Sequence, residues 1–234
     1  MEIQIVLVEP RYDGNVGSVA RVMKNFGFRK LVLVNPCRIG DFGRAMASHA
    51  RDILEGAQII SSVDEIDAEI LVGTTSVVGR DNADHLRYPY LTPEELAERI
   101  KDVEGRVAIL FGREDFGLLN EELEKCHMIV RIPTEPEYPS LNLSHSVAVI
   151  LYELRKARGT GGRKAVSREN VERLMRHIEE LLDEIEYPEH KKDKTLRIIF
   201  RIVGRAILTP REYMTLMGVI RRLRRRLKLG EKSS

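Results

Sequence analysis

The stretch Ile132 to Ser146, Ile-Pro-Thr-Glu-Pro-Glu-Tyr-Pro-Ser-Leu-Asn-Leu-Ser-His-Ser, limits the fold more than any other part of the chain. Pro133, Pro136 and Pro139 fix φ and remove backbone donors, so the segment cannot be the inside of a helix or a central strand. It reads as a stiff, irregular loop. An apolar strand-like run, Met128 to Ile132, precedes it, and an amphipathic helix pattern, Leu143 to Lys156, follows it. Rigid loops between a buried strand and a helix start are where α/β proteins place ligands.

The rest of the chain repeats that strand–loop–helix grammar. Ile3 to Val8 is a continuous apolar run, as in a strand buried on both faces. A loop through Asp13-Gly14 follows, with Asn15 or a neighbour placed to cap a helix carrying Val19, Val22, Met23 and Phe26 on one face. Gly27 ends it, and Leu31 to Val34 is the next strand. Further strands are expected at 57–60, 69–73, 107–111 and 128–132. Helices are expected over 44–54, from the Thr92-Pro93-Glu94-Glu95 start to Lys101, and from Asn120 to Lys125. Residues 77–91 read as irregular. The pattern predicts an α/β fold with about six parallel strands and helices on both faces. A basic, glycine-containing linker at 158–168 then leads to helical patterns near 168–186, 191–207 and 210–229, a small C-terminal helical domain. The division is thus residues 1–157, the linker, and 169–234.

Charge separates the two parts. Residues 163–234 hold 19 Lys/Arg against 11 Asp/Glu, a net +8, whereas residues 1–162 hold 19 against 25, a net −6. A basic tail suits a polyanion, and it equally suits a solvated helical surface. No apolar run reaches membrane-spanning length, and the N-terminus lacks a signal-peptide layout. Cys37 and Cys126 are too few for a disulfide framework, and no cluster has metal-ligand spacing. The expectation is a reducing, cytoplasmic setting, with no metal and no membrane.

Four loops leave the carboxyl ends of the expected strands, at 9–17, 73–80, 112–117 and 133–142. The first lacks the glycine fingerprint of a dinucleotide site and the lysine of a phosphate loop. Arg21 follows on a helix face with Gly17, Ser18 and Ala20, small enough to pack closely on something. Gly112 would let backbone approach a ligand, and Glu114 at a strand end could accept from a polar group. Ser140, Asn142 and Ser144 stand where helix N-terminal donors meet a polar substrate, or are plain capping residues.

Taken together, Asn15-Val-Gly-Ser-Val-Ala-Arg21, Leu110-Phe-Gly-Arg-Glu114 through Gly117-Leu-Leu-Asn-Glu-Glu122, and Glu137-Tyr-Pro-Ser-Leu-Asn-Leu-Ser144 resemble the three motifs of the SPOUT methyltransferases, most closely the TrmJ-like tRNA 2′-O-methyltransferases. The likeness spans residues 1–156; the tail matches in size and place. Pro139 is a departure, since relatives can carry serine there. The resemblance implies a C-terminal deep trefoil knot, which periodicity could not show, and a homodimer sharing its RNA site. It implies S-adenosylmethionine as cofactor, held by Thr74, Thr75, Ser76, Gly112, Ile132, Pro139, Ser140 and Leu141. Arg21, Asn15, Glu114, Ser140 and Asn142 fall on the catalytic positions. Arg21 would clamp the developing oxyanion, Ser140 and Asn142 would orient the ribose, and Asn15 and Glu114 would hold Arg21 or the nucleotide. The substrate would be ribose 32 of the tRNA anticodon loop, on cytidine or on cytidine and uridine. Arg21 and the arginines of the last helix, Arg221, Arg222, Arg224, Arg225 and Arg226, would bind RNA. Another tRNA or rRNA site, and an RNA-binding module without catalysis, stay open as alternatives.

Overall fold

Runs of β-branched and aliphatic residues with no polar alternation can only be strands covered on both sides. In the computed structural model, which describes residues 1–76, 87, 89–157, 159 and 162–230 (backbone alone at 228–230), they are. The strands are β1 (Glu2–Val8), β2 (Lys30–Val34), β3 (Gln58–Ile60), β4 (Ile70–Thr74), β5 (Arg106–Phe111) and β6 (Met128–Val130). They form one six-stranded sheet in the order β3-β2-β1-β5-β4-β6, with every pairing parallel. Val6, Val8, Leu71, Ala108 and Leu110 face a cluster with Val63, Ile66, Leu118, Leu123 and Cys126. Alternate residues Ile5, Leu7, Val107 and Ile109 are fully buried on the other face. Burying each such aliphatic side chain is worth about 1.5–3 kcal/mol.

The helices of this part are α1 (Asp13–Phe26), α2 (Asp41–Ala47), α3 (Arg51–Glu55), α4 (Pro93–Ile100), α5 (Asn120–Glu124) and α6 (Leu143–Lys156). α4 starts as its sequence predicts: Thr92 Oγ1 accepts from Glu95 N–H, the Glu95 carboxylate accepts from Thr92 N–H, and Pro93 leads the helix. α1 ends at Gly27, whose φ of 81° suits glycine.

Several local expectations give way to tertiary contacts. Asn15 caps nothing, because α1 already begins at Asp13 after Tyr12, and Asn15 lies within its first turn. The Asp13-Gly14 pair is therefore helical rather than a turn. Asp13 Oδ2 instead accepts from Gly40 N–H and Gly43 N–H, both at 3.0 Å, and so caps α2. The single helix expected over 44–54 is broken at Ser48 (φ 52°) into α2, a 3-10 turn and α3. Lys24 Nζ donates to the His49 carbonyl exposed by that break. β6 stops at Val130, two residues early, and Arg131 N–H turns to the Leu91 carbonyl. Residues 77–86 and 88 of the expected irregular stretch lie outside the described residues.

The chain divides after Gly162. The second unit comprises α7 (Arg168–Glu184), α8 (Glu189–Ala206) and α9 (Pro210–Gly230). Its own core gathers Val166, Val171, Leu174, Val203, Leu208, Tyr213, Met217 and Ile220. Ala165 and Val166, placed by composition in the linker, are both buried, Val166 within that core. Arg158, Thr160 and Gly161 of the expected linker lie outside the described residues. No helix among the described residues is long and apolar enough to cross a membrane.

Candidate functional site

Residues 74–76, 112–117 and 139–141 of the loops singled out by sequence meet at the carboxyl edge of the sheet, because all six strands point the same way, and the first loop joins them through Glu114. Residues 74–76, 112–117 and 139–141 enclose a cavity of about 310 Å³, within the lower range of small-molecule sites. Thr74, Thr75, Ser76, Gly112, Ile132, Pro139, Ser140 and Leu141 all line it, with Glu114, Asp115 and Phe116. Its apolar walls come from Phe111, Leu118, Val130 and Leu143. Thr74 Oγ1 already donates to the Leu110 carbonyl, so its hydroxyl proton ties β4 to β5. The proline loop is stapled from within, where Thr134 Oγ1 donates to the Pro139 carbonyl at 3.0 Å.

Beside the cavity runs a connected polar network. Glu114 accepts from Arg11 N–H at 3.0 Å, from Tyr12 N–H at 3.4 Å and from Asn15 Nδ2 at 2.8 Å. Asn15 Oδ1 accepts from Asn142 Nδ2 at 3.1 Å. Asn142 caps α6, its Oδ1 accepting from Ser144 N–H at 2.9 Å and Ser144 Oγ at 2.8 Å. Three loops are thereby locked by three side chains that sequence placed at catalytic positions. Such fixed polar groups can orient a hydroxyl without reorganising as reaction proceeds.

Arg21 is not part of this arrangement. It is exposed, absent from the cavity lining, and makes no hydrogen bond or ion pair among the described residues. Within the chain Glu114 and Asn15 do not hold it, so of the two expected roles, holding Arg21 or holding the nucleotide, only the second stays open; the Glu114 carboxylate is occupied by Asn15 and two main-chain donors.

The glycines permit close approaches within the protein. A Cβ on Gly112 would meet the Gly117 and Leu118 backbone at 2.1–2.4 Å. That glycine lets two protein segments touch, and it also lines the cavity. A Cβ on Gly17 would lie 2.0 Å from the Gly43 carbonyl oxygen, so the small-residue face of α1 is filled by α2.

Arg113 was not singled out by sequence. It is buried, donates Nη1 and Nη2 to the two Glu122 oxygens at 3.0 Å each, and donates Nε to Glu9 at 2.9 Å. Burial opposes its charge, but the two carboxylates more than compensate and raise its pKa. The hydrogen bond from Arg113 holds the Glu9 carboxyl below the usual range, against a smaller opposing effect of burial. Glu122 also accepts from Leu119 N–H at 2.7 Å. It therefore caps α5 where Asn120 was expected to. The only hint in sequence was an arginine one glycine past a buried strand, with a glutamate nine residues on.

In the second unit, Arg221, Arg222, Arg225 and Arg226 are exposed and make no hydrogen bond or ion pair among the described residues. Arg224 differs. Its Nε and Nη2 donate to Glu184 at 2.7–3.1 Å, and Nη1 donates to Glu180 and lies 2.9 Å from His177 Nδ1. Arg224 ties α9 to α7, so unlike the other four arginines expected to bind RNA its guanidinium is engaged within the unit. Among the described residues, no three His, Cys, Asp or Glu side chains gather as metal ligands would.

Fold and cavity define an α/β protein that takes a ligand at the carboxyl ends of a parallel sheet. Residues 2–152 match the SpoU rRNA Methylase family. Over 228 residues, covering 94% of this chain and 98% of the relative, it is 43% identical to the tRNA (cytidine-2′-O-)-methyltransferase TrmJ of Methanocaldococcus jannaschii. An uncharacterized tRNA/rRNA methyltransferase of Haemophilus influenzae is 33% identical, with 99% and 98% covered. The crystal structure of TrmJ from Z. mobilis ZM4 superposes with a TM-score of 0.73 at 30% identity, over 96% of this chain and all of that one. The chain belongs to the SpoU methylase family and is a TrmJ-like SPOUT methyltransferase.

Proposed function

We propose that this protein transfers a methyl group from S-adenosylmethionine to a ribose 2′-hydroxyl of tRNA, at nucleotide 32 of the anticodon loop, in the cytoplasm. The observation that carries the reading is the cavity itself: eight residues that match the family's cofactor positions line one space, next to the Glu114–Asn15–Asn142 network. The lining suits the cofactor. Apolar walls and strand-end backbone fit an adenine ring, and the carboxylates of Glu114 and Asp115 suit a sulfonium charge. Thr74 to Ser76, Gly112, Ile132 and Pro139 to Leu141 would hold it. When bound it supplies a methyl carbon already activated for transfer.

What remains for the chain is placement and help in losing the hydroxyl proton. Ser140 and Asn142 orient the ribose, Asn142 through the amide proton that Asn15 leaves free. Glu114 holds Asn15 and the start of α1 in register. Arg21 stays protonated and favours the alkoxide-like transition state as an oxyanion clamp. Because it lies outside its own chain's cavity, Arg21 serves the cavity of a second copy in a homodimer. Exposed Val149 and Tyr152 on α6, with Phe26 of α1 edge-on to Tyr152 at 6.3 Å, offer an apolar face for that copy.

The knot belongs to the same proposal. Thr75 N–H donates to the Val130 carbonyl, while Leu91 pairs with Val130 on its other side. These pairings set Thr75 and Leu91 on opposite flanks of β6, which is the arrangement a knot formed by the chain beyond Val130 would need. Residues 1–157 form the methyltransferase domain. Residues 169–234 form the tRNA-binding domain, with Arg221, Arg222, Arg225 and Arg226 meeting phosphate. Incubation with labelled S-adenosylmethionine and unmodified tRNA tests the reading; label that never enters the RNA refutes it.

A further inference from the structure

The small residues of the first motif support a feature that the transfer of a methyl group does not require. Phe42 begins α2 and is 65% exposed, although its ring is seated on the protein. A Cβ on Gly14 would fall 2.4 Å from Phe42 Cε1 and 3.0 Å from Cδ1, so Gly14 is the seat. Asp13 fixes the same helix through Gly40 N–H and Gly43 N–H, and Gly17 admits the Gly43 carbonyl. Three residues of one turn of α1 thus hold an aromatic ring rigidly while most of it stays in water.

The setting carries a slight excess of positive charge, three arginines against Asp41 and Asp52 over residues 38–52, and it adjoins residues beside the cavity. Arg38, Arg44 and Arg51 are exposed on the same stretch, and Arg38 and Arg51 have no ion-pair partner among the described residues. Arg44 meets only Asp41, at 3.4 Å. Tyr12, 64% exposed, precedes α1. Asn15, next to Gly14 in sequence, is hydrogen-bonded to Glu114 of the cavity lining. Exposed aromatic faces flanked by arginine are how proteins hold unpaired bases of RNA loops.

We propose that Phe42 is a stacking platform for an unpaired nucleobase of the tRNA substrate, with Arg38 and Arg44 neutralising the adjoining phosphates. The proposal deepens the tRNA reading above and rests on it. The ring contributes to holding the RNA equally before and during transfer, so it acts on KM and affinity rather than on kcat.

The test is binding of unmodified tRNA by the full-length protein, followed by fluorescence anisotropy at several salt concentrations, beside steady-state kinetics. Phe42→Leu keeps an apolar side chain on Gly14 and removes the π-face. It is expected to weaken tRNA binding about ten-fold, by the same factor at low and high salt, because stacking releases no counterions. Phe42→Trp should restore affinity, while kcat, S-adenosylmethionine binding and melting midpoint stay at wild-type values. Arg38→Ala should instead flatten the slope of log affinity against log salt by about one. Wild-type affinity in Phe42→Leu overturns the proposal. So does a fall in the mass of Phe42→Leu by light scattering, which would make this face a contact between protein copies. Wild-type protein that binds tRNA with the Phe42 dependence but transfers no methyl overturns the activity and leaves the platform standing.

Discussion

Arg113 is the residue whose removal should damage the site most without touching its chemistry. Its side chain is 3% exposed and that of Glu122 is 13% exposed, with two hydrogen bonds of 3.0 Å between them. In Arg113→Met the Glu122 carboxylate loses its guanidinium while staying buried. Breaking one side of a buried pair costs about 3–5 kcal/mol, mostly as the penalty on the charge left behind. With a urea m-value of about 2 kcal/mol/M, the unfolding midpoint should fall by about 1.5–2.5 M. Replacing both partners by apolar side chains removes the stranded charge. Arg113→Met/Glu122→Leu should recover most of the loss, short of the α5 cap that Glu122 provides to Leu119 N–H, worth about 1 kcal/mol. The assay is urea unfolding of the full chain by circular dichroism. A midpoint within about 0.5 M of wild type, or a double variant no more stable than the single one, would refute the reasoning.

Four other outcomes can be checked directly. Arg21→Ala should bind S-adenosylmethionine normally by calorimetry yet lose about 100-fold in turnover, as when an oxyanion donor is removed; normal turnover would sink the proposed clamp. Replacing Arg221, Arg222, Arg225 and Arg226 together by alanine should lower tRNA affinity and its salt dependence. Arg224→Ala should instead lower the melting midpoint, because it frees Glu180 and Glu184; the reverse pattern would mean the roles are misassigned. Finally, Arg113 depresses the folded pKa of Glu9, so this pair stabilises fully above the ordinary carboxylate value and loses that contribution as pH falls through the depressed one. In Glu9→Gln the urea midpoint should therefore fall less steeply on acidification, and an unchanged slope would count against the pair.

The strands were legible because residues buried on both faces leave unbroken apolar runs, as at Ile3 to Val8 and Val107 to Phe111. Helix α6 was legible to the residue, since Asn142 caps it and the prolines before it forbid an earlier start. Local pattern says nothing of sheet order: β1 pairs with β5 about a hundred residues later, and no periodicity encodes that distance. The same limit hid Arg113, whose partner Glu9 is 104 positions away, and left the occupants of Gly14 and Gly17 unnamed. The arginines of α9 were grouped together as RNA binders, yet helical geometry turns Arg224 toward α7 and Arg221, Arg222, Arg225 and Arg226 toward solvent. Composition could count those arginines but not separate them. The cavity residues were assembled by motif resemblance, and the shared strand direction is the physical reason they meet.

The central claim concerns which atom receives the methyl group, and one measurement addresses it. The full-length protein is incubated with labelled S-adenosylmethionine and an unmodified tRNA carrying cytidine at position 32, and the RNA is digested and mapped. Label is expected in 2′-O-methylcytidine from nucleotide 32. Label on a base, or on the ribose of another nucleotide, or its absence from the RNA, would contradict it.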